Sequence, residues 1–399
     1  MPGAVSSRSP RRARPFLAFC AAAVCLPLCL LPGAARAQVL PMVQIAAGAA
    51  HACSLDSRGA VWCWGNNRQG QLGDGTRRNR RRPVRVQGLD PVSFIAAGGN
   101  HTCAIVELLD YAYCWGDNES SEIVRPPAEN DILVPTLIEG LGTARAIAVG
   151  HSHICAITLG GQARCWGGGA YGVDGPYPPY LGRIPRVRLT DSITAGMRYG
   201  CAVTASERAR CWGSNWHFVL GDGLGTGEID DIRARGSNVR NLPSPAQIAA
   251  GATHTCAVDT RGRARCWGQN DEGQLGDGTT TNRRTAVAVS ELRNARQITV
   301  GGFHSCALSI APLQDAGTVR CWGSNLGHAL GVYDWEVLED GRSTVPIPVQ
   351  DLGRARAIAA GYWFTCALVG GGVRCWGQND VGQLGDGTRT SDHISTVRF

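Results

Sequence analysis

Residues 247–279 read QIAAGATHTCAVDTRGRARCWGQNDEGQLGDGT, and most of the chain beyond residue 42 is a variation on them. A run of small residues ending in Gly is followed by H-[ST]-C-A and then by R-C-W-G. Seven Cys-Trp pairs mark the recurrence: Cys63/Trp64, Cys114/Trp115, Cys165/Trp166, Cys211/Trp212, Cys266/Trp267, Cys321/Trp322 and Cys375/Trp376. A fixed period of about fifty residues is the mark of a propeller or a solenoid.

Within one unit, Cys256-Ala257-Val258, Thr260-Arg261-Gly262 and Ala264-Arg265-Cys266-Trp267 predict strand, tight turn, strand. The segment GQNDEGQLGDGT that follows is dense in Gly, Asn and Asp, which make turns by adopting positive φ or by bonding their own backbone. A short apolar segment comes next, such as Pro83-Val84-Arg85-Val86 or Pro346-Ile347-Pro348-Val349. Each unit therefore holds about four short strands and no helical period. The small Ile-Ala-Ala-Gly run suits an inner strand crowded against an axis. The expected fold is all-β, a seven-bladed β-propeller of four-stranded antiparallel blades. Seven units with no capping repeat fit a closed ring better than a linear solenoid. Closure is expected where residues 39–45 meet 394–397, because Ile394-Ser395-Thr396-Val397 matches the last strand of the other repeats.

The landmarks H-T-C-A, V-R-C-W-G and N-x-x-G-Q-L-G-D-G-T resemble the repeat of the regulator of chromosome condensation (alpha-tubulin suppressor-like) family, over about residues 43–399. The G-Q-L-G-D-G-T signature is complete at 70–76, 273–279 and 382–388 and decays in repeats two, three, four and six. The resemblance implies a seven-bladed propeller. It says less about function, which lives in sites carried on folds. In that family the roles include nucleotide exchange on a small GTPase and chromatin binding. One branch resembling this chain consists of exported bacterial propellers that inhibit β-lactamases.

Residues 1–37 have the three parts of a secretory signal: a positive region from Arg8 to Arg14, an apolar run from Phe16 to Leu31, and Ala35-Arg36-Ala37 before Gln38. They are expected to be cleaved, leaving residues 38–399 as one propeller domain with repeats at about 43–90, 91–143, 144–191, 192–245, 246–294, 295–354 and 355–399. The segment carries five arginines and no acid, so its loss takes the formal charge from +7 to +2. A nearly neutral product has no global field to steer nucleic acid, and no nucleic-acid partner is expected. No other apolar run approaches membrane-spanning length. Of 17 cysteines, Cys20, Cys25 and Cys29 leave with the signal. Fourteen remain, two per repeat: Cys53/Cys63, Cys103/Cys114, Cys155/Cys165, Cys201/Cys211, Cys256/Cys266, Cys306/Cys321 and Cys366/Cys375. Each pair is expected to form a disulfide across one hairpin. Metal ligation competes poorly, since there is no C-x-x-C and at most one nearby His per repeat. Disulfides place the protein in an oxidising compartment, periplasmic or extracellular.

His51, His101, His153, His254 and His304 all stand two residues before the first Cys of a repeat. A recurrent histidine reads as structural, bonding neighbouring backbone, whereas a catalytic one is normally unique. His217, His328 and His393 fall off the pattern and have no nucleophile beside them. Asp74-Gly75, Asp277-Gly278 and Asp386-Gly387 lack the alternation of a calcium loop and read as turns. Residues 54–62 miss the sialidase aspartate box by one residue and read as a hairpin. The arginine-rich run 77–82 reads as a solvated loop. No cofactor motif is present.

These readings favour a non-catalytic, exported monomer that binds a protein or glycan through one loop face. A propeller-based enzyme, an inhibitor of a secreted enzyme and the exchange or chromatin role are the alternatives. Equivalent connections of a propeller emerge on one side. The segment after Cys-Trp-Gly is irregular in repeats two, three, four and six. The expected contact residues there are Tyr177, Tyr180, Trp216, Phe218 and Trp335, with Glu119, Glu122, Glu228, Asp230 and Asp231 near the first four.

Overall fold

In the regular repeat, His254–Asp259 and Ala264–Gly268 pair antiparallel with Cys256 directly opposite Cys266. Asp259 makes the turn between them, its carboxylate accepting the N–H groups of Arg261 and Arg263 at 2.9 and 3.0 Å. Asp56 does the same for Arg58 and Ala60 and also accepts from Trp62 Nε1, so residues 54–62 are a hairpin. One strand adds to each side of every such hairpin. The result is seven four-stranded antiparallel sheets, each made of four consecutive strands, here a to d from the inside outwards. In blade one they are Met42–Ala47, His51–Asp56, Val61–Gly65 and Arg80–Arg85. In blade seven they are Ala355–Ala360, Phe364–Val369, Gly372–Gly377 and Asp392–Thr396. The strands of the others lie within 92–137, 144–188, 190–238, 245–288 and 295–348. This computed structural model describes residues 40–89, 91–123, 131–168, 181–188, 190–332 and 338–399; the expected signal segment lies outside them.

All seven expected cysteine pairs are disulfide-bonded, with Cα atoms 4.0–4.1 Å apart. That closeness is typical of the non-hydrogen-bonded pairs of an antiparallel ladder. The disulfides staple hairpins, and cohesion between blades comes from elsewhere. Each apolar cluster is drawn from two successive blades. The cluster between blades seven and one contains Met42, Ile45 and Val397, so the ring closes at the two ends. Met42 N–H also donates to Gly371 O at 2.9 Å.

The strand-c tryptophans are fully buried, and the indole N–H of each described case reaches back to a carbonyl in the c–d connection of the preceding blade. The acceptors are Gln383 O for Trp64, Gln71 O for Trp115, Glu122 O for Trp166, Val219 O for Trp267, Gln274 O for Trp322 and Ala329 O for Trp376, at 2.7–3.0 Å. The indole lies flat against the connection. A Cβ on Gly73 would come within 2.8 Å of Trp115 Nε1, and its φ of +67° is itself left-handed.

The recurrent histidines complete this interlock. His51 Nε2 meets Thr102 Oγ1 at 2.8 Å, His254 meets Ser305 at 2.7 Å, and His304 meets Thr365 at 2.8 Å. Thr102 and Ser305 donate their own protons to Gln71 O and Gln274 O, so the imidazoles must be the donors, as neutral Nε2–H tautomers. In these three the next blade's hydroxyl is a partner that the sequence did not suggest, while the expected bonding to neighbouring backbone is found for His51 at His101 and for His153 at Tyr199. Blade four uses Tyr199, whose hydroxyl meets Thr255 Oγ1 at 2.8 Å. Where the next blade offers only Ala52, the position is Phe364. The Gly that ends strand a makes room for this ring: a Cβ on Gly48 would lie 2.2 Å from His51 Cε1.

Burial pushes His51 and His254 down to about 3 and His153 and His304 down to about 4. The folded state thus resists protonation that the unfolded chain accepts near 6.5. Stability from these groups is intact above pH 6.5 and is lost as the pH falls towards 4. Denaturant midpoints should be flat from pH 7 to 8 and fall steeply below 6.5. The double variant His254→Phe, Ser305→Ala copies the Phe364/Ala52 pair; it should flatten that fall by up to about 1.4 kcal/mol per pH unit. Non-reducing peptide mapping should return only the seven intra-blade pairs. The Cys256→Ala, Cys266→Ala variant should lose about 2–3 kcal/mol in equilibrium unfolding.

Candidate binding face

The a–b turns and c–d connections share one face. Asn66 N–H donates to Ala50 O, Asp117 to Asn100 O, Gln269 to Thr253 O and Gln378 to Trp363 O, at 2.9–3.1 Å. The a–b turns are also tied to one another around the axis, through Ala49 N–H to Gly99 O and Tyr362 N–H to Ala49 O. The b–c hairpins and d–a connections lie opposite, where Val92 N–H bonds Gly59 O and Ser57 N–H bonds Pro41 O. The described chain therefore starts on the opposite face.

A polar clamp shapes each regular c–d connection. Asn67 Oδ1 accepts from Leu72 N–H at 2.9 Å, while its Nδ2 donates to Asp74 Oδ1 and Thr76 O. Asp74 also accepts from Thr76 and from Arg80 Nε at 2.8 Å. Burial opposes ionisation of Asp74, yet the bonds from Thr76, Arg80 and Asn67 hold its carboxyl below the ordinary range. Asn270/Asp277/Arg283 repeat the arrangement, and Asn379/Asp386 repeat it with Ser395 as a donor. The Asp-Gly aspartates are turn residues. The arginine-rich run is partly recruited too: Arg80 belongs to the clamp, and Arg77 pairs with Asp131 of blade two.

Blade four keeps the clamp in altered form, with Asn215, Asp231 and Arg233. Its connection runs through a short 3-10 turn, Trp216–Phe218. Phe218 stands where blade one has Gly70 and takes the same left-handed region, φ +65° against +80°. A bulky side chain there is strained. Trp216 rests on the His217 ring at 4.3 Å, and Arg284 of blade five lies 4.5 Å above the Phe218 ring. Both aromatics are half-buried. The acidic set expected around them divides. Glu119, Glu228 and Asp230 are exposed. Asp231 is held by Asn215, Thr226 N–H and Arg233. Glu122 is buried at the place of Gln71, its Oε2 accepting from Ser120 N–H and its Oε1 3.7 Å from His101 Nε2. The two latter carboxylates hold the scaffold and do not belong to an open acidic patch. Tyr177, Tyr180 and Trp335 lie outside the described residues.

A second aromatic group sits beside the channel mouth of the same face. The Phe303 and Trp363 rings stack with centroids 5.1 Å apart and 17° between planes, and Tyr362 abuts both edge-on at 6.0 and 5.1 Å. All three are half-buried. Partial burial raises the Tyr362 phenol above its ordinary value. Tyr362 also lines the central channel, a space of about 350 Å³ walled mainly by the alanines and glycines of the a strands. The stack was not assigned from the sequence, although a signal existed. Trp363 and Phe303 occupy the position before strand b that other repeats fill with Ala50, Asn100, Ser152, Arg198 and Thr253.

Two sequence profiles, both described as the regulator of chromosome condensation (RCC1) repeat, match the chain. One matches residues 58–105 and 261–308; the other matches 42–71, 92–122, 144–173, 246–274 and 355–383. The chain is 30% identical over 289 residues to the E3 ubiquitin-protein ligase HERC2 of Mus musculus, covering 69% of this chain but only 6% of that protein. It is 28% identical over 357 residues to the ultraviolet-B receptor UVR8 of Arabidopsis thaliana, covering 86% and 78%. Prp20p of Saccharomyces cerevisiae superposes with a TM-score of 0.69 at 20% identity, over 82% of each chain. Human WBSCR16 superposes with a TM-score of 0.68 at 17% identity, over 81% and 86%. These two likenesses concern the fold. With the matched repeats spread from residue 42 to residue 383, the chain belongs to the regulator of chromosome condensation repeat family.

Proposed function

We propose that this chain is an exported, non-catalytic propeller that holds a partner protein on the face carrying the a–b and c–d connections. The observation that carries the reading is the Phe303–Tyr362–Trp363 group: three half-exposed aromatic rings beside the axis, on turns tied to their neighbours by backbone bonds. Rigid aromatics on an otherwise polar surface are the usual anchors of protein interfaces. Trp216 and Phe218 add to the same face from blade four. Tyr177, Tyr180 and Trp335 belong by sequence to its c–d connections and are included in the proposal. The polar groups that could suggest chemistry, the recurrent histidines and the Asp-Gly aspartates, are engaged in holding the ring. Seven disulfides fit an oxidising compartment, as the signal-like residues 1–37 do. Prp20p has binding properties towards Gsp1p and histones, so protein recognition has precedent on this fold.

The test is capture of partners by the oxidised protein without residues 1–37, followed by affinity measurements on each. Trp363→Ala should weaken binding about 30-fold, the scale of a 2 kcal/mol anchor, while Trp216→Ala should have a smaller effect. Leu313→Ala, at an exposed b–c hairpin tip on the opposite face, should leave affinity unchanged. The reverse pattern would move the interface to that opposite face.

A further inference from the structure

Between blades five, six and seven, the aromatic stack forms one wall of a cleft of about 500 Å³. Phe303 and Trp363 line it, Leu326 stands 61% exposed at its edge, and Glu272 and Asp340 bring carboxylates to it. Among the described lining residues there is no arginine or lysine. Glu272 is half-buried, and among the described residues its carboxylate has no hydrogen-bond or ion-pair partner; its backbone N–H is engaged by Gln274 Oε1. Asp340 meets one guanidinium, Arg342, at 3.4 Å, and remains 81% exposed. Asp271 and Asp380, also exposed, belong to the neighbouring c–d connections.

We propose that this cleft receives a cationic side chain, an arginine or lysine, projecting from the partner protein. The proposal rests on the binding role given above and specifies its chemistry. An apolar side chain entering here would strip water from the Glu272 carboxylate and give nothing back, a cost that disfavours it. An anion would meet Glu272 and Asp340, while the nearby guanidinium of Arg342 is committed to Asp340 and to Asp271 O and no arginine or lysine is among the described lining residues. A cation gains from both walls: its charge pairs with Glu272 and lies against the outward, negative face of one ring of the Phe303–Trp363 stack. Arginine fits best, because the guanidinium is planar, weakly hydrated, and able to stack on a ring while donating to a carboxylate.

The experiment uses the oxidised protein and three blocked peptides, Gly-Arg-Gly, Gly-Lys-Gly and Gly-citrulline-Gly, with binding read from tryptophan fluorescence and ligand-observed NMR. Citrulline keeps the shape of arginine and removes the charge. The arginine peptide should bind saturably and the citrulline peptide at least tenfold more weakly. Glu272→Gln should weaken the arginine peptide at least tenfold, with near-UV circular dichroism unchanged. Phe303→Leu, a milder change than loss of the tryptophan, should weaken it severalfold. Equal binding of the citrulline peptide, no saturable binding of the arginine peptide, or an unaffected Glu272→Gln variant would each overturn the proposal. Measurements on a captured partner separate this failure from that of the broader reading. If Trp363→Ala weakens the partner and Glu272→Gln does not, the cationic assignment falls and the binding face stands. If neither variant has an effect, both fall.

Discussion

The indole N–H of the strand-c tryptophan, donated to a carbonyl of the preceding blade, is the contact on which the ring depends. A four-stranded blade has two faces and no core of its own, so each must bury both faces against neighbours. A buried tryptophan supplies much of the area and requires one acceptor. It finds that acceptor in a c–d connection, and so the neighbour's ring dictates the path of the connection. The Gly-Gln-Leu-Gly-Asp-Gly sequence is shaped accordingly: Leu72 packs in the same cluster as Trp115, and Gly73 is bare because the indole occupies the space of a Cβ. Variation that could serve recognition is pushed to the outer part of the connection and to the a–b turns, where Trp216, Phe303 and Trp363 are found.

The second layer of the interlock shows how burial selects chemistry. A histidine in strand b is kept where the next blade supplies a hydroxyl, as with Thr102, Ser305 and Thr365. Tyrosine performs the same bond at Tyr199, and Phe364 appears beside Ala52, where a donor would have nothing to bond. Two junctions depart from this rule: His153 faces Gly200 and bonds the Tyr199 backbone instead, and the junction of blades two and three differs further. The place opposite His101 is Ile154, and Glu122 replaces the usual glutamine, leaving His101 and Glu122 as a buried pair 3.7 Å apart. Disulfides contribute differently. Each closes a loop of 9–15 residues within one hairpin, so each restrains the unfolded chain locally and leaves the joining of blades to the tryptophans and their partners.

A face assembled this way is stiff where it meets the scaffold and variable at its edge. The Asn-Asp clamps occupy the polar groups of the regular connections, which is why aspartates that look available in sequence are spoken for in space. Among the described residues, the aromatic rings left partly open on this face stand on blades four, six and seven.

The sequence by itself determined the number of blades, the order of strands within each, the pairing of all fourteen cysteines and the turn role of Asp74, Asp277 and Asp386. These features are written within one repeat, as a period, a strand-turn-strand pattern or a residue's bond to its own backbone. The tertiary structure alone decided the contacts made between repeats. His51 and Thr102 are 51 residues apart, and the Phe303–Trp363 stack spans blades six and seven. Whether Glu122 faces water or His101 depends on which residue the next blade presents. Phe218 in a left-handed turn was likewise not legible, because propensity argues against it, while its backbone bonds to Asn215 and Gly221 and the Arg284 guanidinium over its ring hold it there. Local rules see one blade at a time; the candidate site is made where two or three blades meet.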